Sequence, residues 1–135
     1  MRLLLDKHIL LSLLDEGDID LPSELATVLR DDKSSLFVSV ASLWEIAIKS
    51  RSGKLNLKIE LVQMQAACVA LGVTLLAIHA EHVLAVVIPE PPTRDPFDRL
   101  LLAQAHCEDL RLVTFDRALV DHPLAWRATS SGNPS

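Results

Sequence analysis

Four short apolar runs, RLLL at 2–5, LFVSV at 36–40, VTLLAI at 73–78 and RLVTF at 111–115, alternate with stretches of helical periodicity. That alternation constrains the fold more than any other feature. Runs this short and uniformly apolar read as strands buried on both faces. The segments between them leave room for crossover helices. Helical patterns fall at 8–15, 23–31, 42–52, 59–71, 79–87 and 95–109, with Gly53 and Gly72 as C-terminal stops and Pro96 in a first turn. The expectation is an α/β domain whose mostly parallel sheet is covered on both faces.

A chain of 135 residues, 50% of them hydrophobic, suits one core, here assigned to 1–128, with the low-complexity TSSGNPS at 129–135 read as a disordered tail. The most apolar stretch, AACVALGVTLLAI, is shorter than the roughly 18 residues a bilayer span needs, and Gly72 breaks it. The opening MRLLLDKHILLSLL is interrupted by Asp6, Lys7 and His8 and has no small-residue cleavage site, so it reads as strand, turn and helix rather than a leader. Cys68 and Cys107 lie far apart without C-x-x-C spacing, as small buried hydrophobes in a reducing setting do. A soluble, cytoplasmic protein without a membrane partner is expected.

Lys and Arg total 13 against 18 Asp and Glu, so the net charge of -5 repels polyanions globally and any nucleic acid must meet a local patch. KSRSGKLNLK at 49–58 offers one through Lys49, Arg51 and Lys54, with Arg94 and Arg99 adding charge near the acids. Lys49 and Arg51 equally suit the C-terminus of a helix stopping at Gly53. With 4% aromatic residues and no Tyr, stacking of bases on exposed rings is not the expected mode of recognition.

The acids carry the chemistry. Asp6 ends the first strand, Asp116 ends RLVTF, Glu45 falls in the first turn of the third helix, and Asp98 falls in the first turn of its own helix. In an open parallel sheet those positions share the carboxyl edge, where ligands bind. Each acid also has an ordinary explanation as a cap. For Glu45 that explanation is the stronger one from pattern alone, because Ser42-Leu43-Trp44-Glu45 fits a capping box and Lys49 stands four residues on. Asp6 and Asp116 are even choices between cap and site. In DPFD, Asp95 before Pro96 is a natural N-cap, whereas Asp98 shares a helix side with Leu101, Leu102 and Ala105 and is aimed inward.

Carboxylates gathered without cations raise one another's pKa, and a divalent ion removes that penalty. An all-oxygen donor set suits Mg²⁺ or Mn²⁺. His79 and His82 form H-x-x-H without a third zinc ligand at suitable spacing, so surface or capping histidines are the better reading. The absence of G-x-S-x-G, G-x-x-x-x-G-K-[ST] and G-x-G-x-x-G withdraws motif support from serine hydrolases, P-loop enzymes and dinucleotide binders. Metal-dependent phosphoryl chemistry is the leading class.

In order along residues 1 to 122, LLLDKHILLSLL, VSVASLWEIAIKSRSGKL, DPFDRLLLAQA and LVTFD resemble the PIN-domain proteins of the VapC toxin type. The resemblance implies a three-layer α/β/α sandwich, carboxylate-bound Mg²⁺ or Mn²⁺, endonucleolytic cleavage of RNA, a cognate antitoxin and a homodimer. It assigns Asp6, Glu45, Asp98 and Asp116 as the four acids, with Asp6, Asp98 and Asp116 as principal metal ligands. Glu45 would hold metal-bound water or accept a proton, and Thr114 would be a supporting hydroxyl. One departure stands out: the family usually has Thr or Ser directly after the first aspartate, and this chain has Lys7. Pointing inward, that ammonium would compete with metal or pair with the acids; snorkelling outward, it would change little. A second expectation follows, a PIN-fold binding module disabled by Lys7 that retains partner binding.

Overall fold

The computed structural model describes residues 1–14 and 21–128. The tail at 129–135 and the last residue of the helix expected at 8–15 lie outside them.

The strands are β1 (Arg2–Leu5), β2 (Ser35–Ser39), β3 (Val73–Leu76) and β4 (Arg111–Val113), all parallel, in the order β3-β2-β1-β4. The helices are α1 (Lys7–Leu14), α2 (Ser23–Arg30), α3 (Val40–Arg51), α4 (Met64–Ala70), α5 (Ala80–Leu84) and α6 (Pro96–Glu108). Among the described residues, no helix is long and apolar enough to cross a membrane.

β1 shows why its sequence is continuously apolar. Leu3 and Leu5 enter one core with Ile9, Leu25, Leu29 and Ile46. Leu4 points the other way, into a second core with Leu101, Leu102, Ala105 and Leu112. Alternate side chains of a strand leave opposite faces, so a strand covered on both sides is apolar at successive positions, here Leu3 to Leu5, with the polar Arg2 only at its exposed start. Each leucine fully removed from water contributes about 1.5–3 kcal/mol. The result is the expected three-layer sandwich.

Local signals set several boundaries. Asp95 Oδ1 accepts from the amides of Phe97 at 2.8 Å and Asp98 at 3.2 Å, ahead of Pro96 in the first turn of α6. Gly53 at φ 78° and Gly72 at φ 76° take the left-handed conformation after α3 and α4, as expected of helix stops.

Other boundaries differ from expectation. The capping box at Ser42 is not formed: α3 begins at Val40, capped by Ser39, whose hydroxyl accepts from the Ala41 amide at 3.0 Å. Glu45 consequently sits in the second turn rather than the first. The strand expected at 36–40 gives up Val40 to this helix. The helix expected at 59–71 starts as a 3-10 turn, Leu61–Gln63, and is α-helical only from Met64. Before it, Leu55, Leu57 and Ile59 pack against the first core while the residues between them are exposed, an extended pattern incompatible with a helix. The helix expected at 79–87 is cut to Ala80–Leu84 because Ala85 turns extended at ψ 144°. The strands at 73–78 and 111–115 stop at Leu76 and Val113. Asp116 caps a turn at 117–121 rather than a helix.

Candidate active site

The strand order reverses direction between β1 and β4, where the crossover helices leave the sheet on opposite faces and open a crevice at the carboxyl edge. Asp6 stands there. Its backbone N–H donates to Val113 O at 3.1 Å, tying it to the end of β4. Its side chain is buried, and Oδ1 accepts the Ile9 amide at 3.0 Å, capping α1 and leaving a second oxygen. Asp116 lies across the crevice. Its Oδ1 accepts the Ala118 amide at 2.8 Å, and its own N–H donates to the buried Thr114 hydroxyl at 3.0 Å. Thr114 thus shapes the turn that carries Asp116 past the short β4.

Asp98 enters from the first turn of α6 and is half-buried, with the Thr93 hydroxyl donating to its Oδ2 at 3.4 Å. Its pKa is raised to about 6, first by burial and then by the negative charges of Asp95, Asp116 and Glu45, while Lys7 pulls it back. Glu45 comes from the second turn of α3 and is largely covered; its Oε2 is 2.9 Å from Lys7 Nζ and 3.3 Å from Lys49 Nζ. Lys7 therefore points inward. Burial opposes its ammonium, but Glu45 outweighs that, with Asp6 adding to the effect, so its pKa lies above the ordinary lysine value. Asp6, Glu45, Asp98 and Asp116 share one electrostatic field centred on Lys7 and Asp98.

The donor set fits a hard divalent cation. It is all oxygen, and Asp98, raised first by burial, is raised further by Asp95, Asp116 and Glu45, which Lys7 offsets only in part. A tighter ligand-type trio lies elsewhere: ligand atoms of Glu81, His82 and Glu108 fall within 4.8 Å of one another. That trio is structural. His82 Nδ1 accepts the His79 amide at 3.0 Å, so its one proton sits on Nε2, which faces Glu108 Oε2 at 2.7 Å. A metal on Nε2 would have to displace that proton and break the cap. The capping role expected of these histidines is present, but His82, 1% exposed, is not a surface residue.

The expected basic residues separate into two groups. Lys49 is held at Glu45, and Arg99 is tied to the Thr93 carbonyl at 2.7 Å and to Glu90 at 3.0 Å. Arg51, Lys54 and Arg94 are exposed. Two features escaped the sequence reading. Thr93 bridges the Asp95 amide at 3.1 Å and the Asp98 carboxylate, and its position two residues before Asp95 was the available signal. The ring of Trp44, 61% exposed, meets Phe97 edge-on at 5.7 Å, each directly preceding a candidate acid in sequence.

The PIN domain family model matches residues 3–123. Among solved structures, a chain described as "Toxin-antitoxin complex from Klebsiella pneumoniae" is similar at a TM-score of 0.59 and 18% identity, covering 92% of this chain and 95% of that one; this likeness speaks to the fold. No curated protein matches. With the family match covering nearly the whole chain and all four acids, the chain belongs to the PIN domain family.

Proposed function

We propose that this protein is a metal-dependent endoribonuclease, the toxin of a toxin–antitoxin pair acting in the cytoplasm. The observation that supports the reading is the half-buried Asp98, raised to about 6 first by burial and then by Asp95, Asp116 and Glu45, beside a Lys7 that feels Glu45 and Asp6. Family membership supports it, since PIN domains are generally metal-dependent nucleases.

Asp6, Asp98 and Asp116 are the residues that would hold Mg²⁺ or Mn²⁺. Such an ion supplies the charge that polarises a phosphodiester and activates water for attack. The protein's own share is positional. The caps at Ile9 and Ala118 each fix one oxygen of Asp6 and of Asp116, and the Thr93 hydroxyl holds Asp98. Glu45, anchored by two lysines, orders water at the rim or accepts a proton from it. Arg51, Lys54 and Arg94 supply exposed charge for the RNA backbone, which the net charge of -5 does not.

An antitoxin partner is supported by the solved neighbour, whose description is a toxin–antitoxin complex. The small cavity of about 80 Å³ lined by Leu11, Leu14, Leu55, Leu57, Ile59 and Met64 beside α1, with Asn56 and Lys58 at its side, suits one apolar side chain of such a partner. The proposed homodimer rests on the resemblance and is read by light scattering. The inward Lys7 favours one competing reading, a PIN-fold module that binds its partner without cleaving RNA.

The deciding experiment incubates purified protein with a panel of structured RNAs in Mg²⁺, in Mn²⁺ and in chelator, beside Asp98→Asn. Metal-dependent cleavage lost in the variant supports the nuclease. Intact RNA throughout, with retained antitoxin binding, supports the binding module.

A further inference from the structure

Lys7 occupies a position that a site built only to hold metal would not give to a cation. It is the first residue of α1, directly after Asp6, and its ammonium sits 2.9 Å from Glu45 Oε2 with the two side chains 15% and 13% exposed. Solvent and salt screen such a pair weakly. Lys49 reaches the same oxygen at 3.3 Å from a side chain 41% exposed. One oxygen of Glu45 is therefore shared between two ammonium groups.

The charge count points the same way. Asp6, Glu45, Asp95, Asp98 and Asp116 contribute five negative charges, and Lys7 and Lys49 return two, which leaves three for bound ions to balance. One divalent cation leaves a single negative charge. A second would turn the site positive. In two-metal nucleases the ions stand about 3.5–4 Å apart and clamp the attacking and leaving oxygens. A lysine ammonium is a compact point charge able to take over electrostatic contact with phosphate.

We propose that Lys7 stands in for a second metal ion: it reserves Glu45, limits the cluster to one divalent ion held by Asp6, Asp98 and Asp116, and presents its ammonium to the substrate phosphate. This inference rests on the nuclease reading. It makes Lys7 a substrate-contacting residue and places Glu45 outside the direct ligands.

The test is calorimetric titration of metal-free protein with Mn²⁺, for wild type, Lys7→Thr and Lys7→Met at one pH and ionic strength. Electron paramagnetic resonance then asks whether bound ions are coupled as a pair. Wild type is expected to bind one ion, and both variants two, with the first ion on the order of tenfold tighter once the neighbouring positive charge is gone. Lys7→Met keeps the apolar stem, so it carries the comparison should Lys7→Thr fold poorly. Binding of a short single-stranded RNA in chelator should weaken several-fold in Lys7→Met. Two ions in wild type, an unchanged count and affinity across all three proteins, or unchanged RNA binding would each overturn the proposal. If wild type and variants alike fail to cleave RNA, the nuclease reading falls, while the ion count still decides what Lys7 does.

Discussion

Replacing Asp98 by Asn removes a charge without changing the shape of the side chain, and the structure sets the size and direction of the effect. In the folded protein the Asp98 pKa is raised from 3.8 to about 6, burial being the largest cause and Asp95, Asp116 and Glu45 the next. The folded state thus holds that proton more tightly than the unfolded chain does. Metal-free wild type therefore loses stability as pH rises from 3.8 through about 6, and the loss is complete above that range. Unscreened, the shift corresponds to about 3 kcal/mol. Asp98 is only half-buried, so we reduce this to about 1–2 kcal/mol for solvent screening. In chelator, Asp98→Asn should match wild type near pH 4 and exceed it by that amount at pH 8, raising Tm by about 3–8 °C for a chain of this length. Urea unfolding at both pH values measures the difference. Mn²⁺ should reverse the order, since it stabilises the protein that binds it better. Equal loss of stability in the variant at both pH values would refute the reasoning and return Asp98 to an ordinary helix-start role.

Asp95→Ala should behave oppositely, losing about 1 kcal/mol because two amides at the start of α6 lose their acceptor, with RNA cleavage largely retained; denaturation and cleavage assays read the two effects separately. His82→Leu should cost about 2–3 kcal/mol by leaving the His79 amide and Glu108 without their partner, while cleavage per folded molecule and Mn²⁺ affinity stay unchanged. Although the scarcity of aromatic residues argues against base stacking, Trp44 is 61% exposed beside Glu45, so Trp44→Ala should weaken single-stranded RNA binding by about 1–3 kcal/mol, read by fluorescence anisotropy in chelator; unchanged binding would uphold the expectation from composition and leave Trp44 as a packing partner of Phe97 alone.

What could be read in the chain depended on how far apart the deciding atoms lie. The Asp95 cap and the stops at Gly53 and Gly72 were legible because cap, amides and turn all fall within a few residues. The start of α3 was not. VSVAS contains two serines three apart, Ser39 and Ser42, and either could cap a helix. Pairing chooses between them: Ser39 lies opposite Leu76 in the β2–β3 ladder, so β2 runs to Ser39 and the helix begins there. His82 was similarly opaque, since its burial depends on Glu108, 26 residues away on α6.

By itself the sequence determined the α/β class, the parallel sheet, the two-faced burial of β1 and the acids at the carboxyl edge. Those follow from apolar periodicity and local capping, which each segment carries internally. Only the tertiary structure decided which way Lys7 points, which partners share Glu45, and how strongly Asp98 holds its proton. Lys7 and Glu45 are 38 residues apart. Asp98 feels Glu45 and Asp116 through space rather than along the chain. Burial and charge act across distances of a few ångströms, and such distances between remote residues exist only after β1, α3, α6 and the turn after β4 have packed.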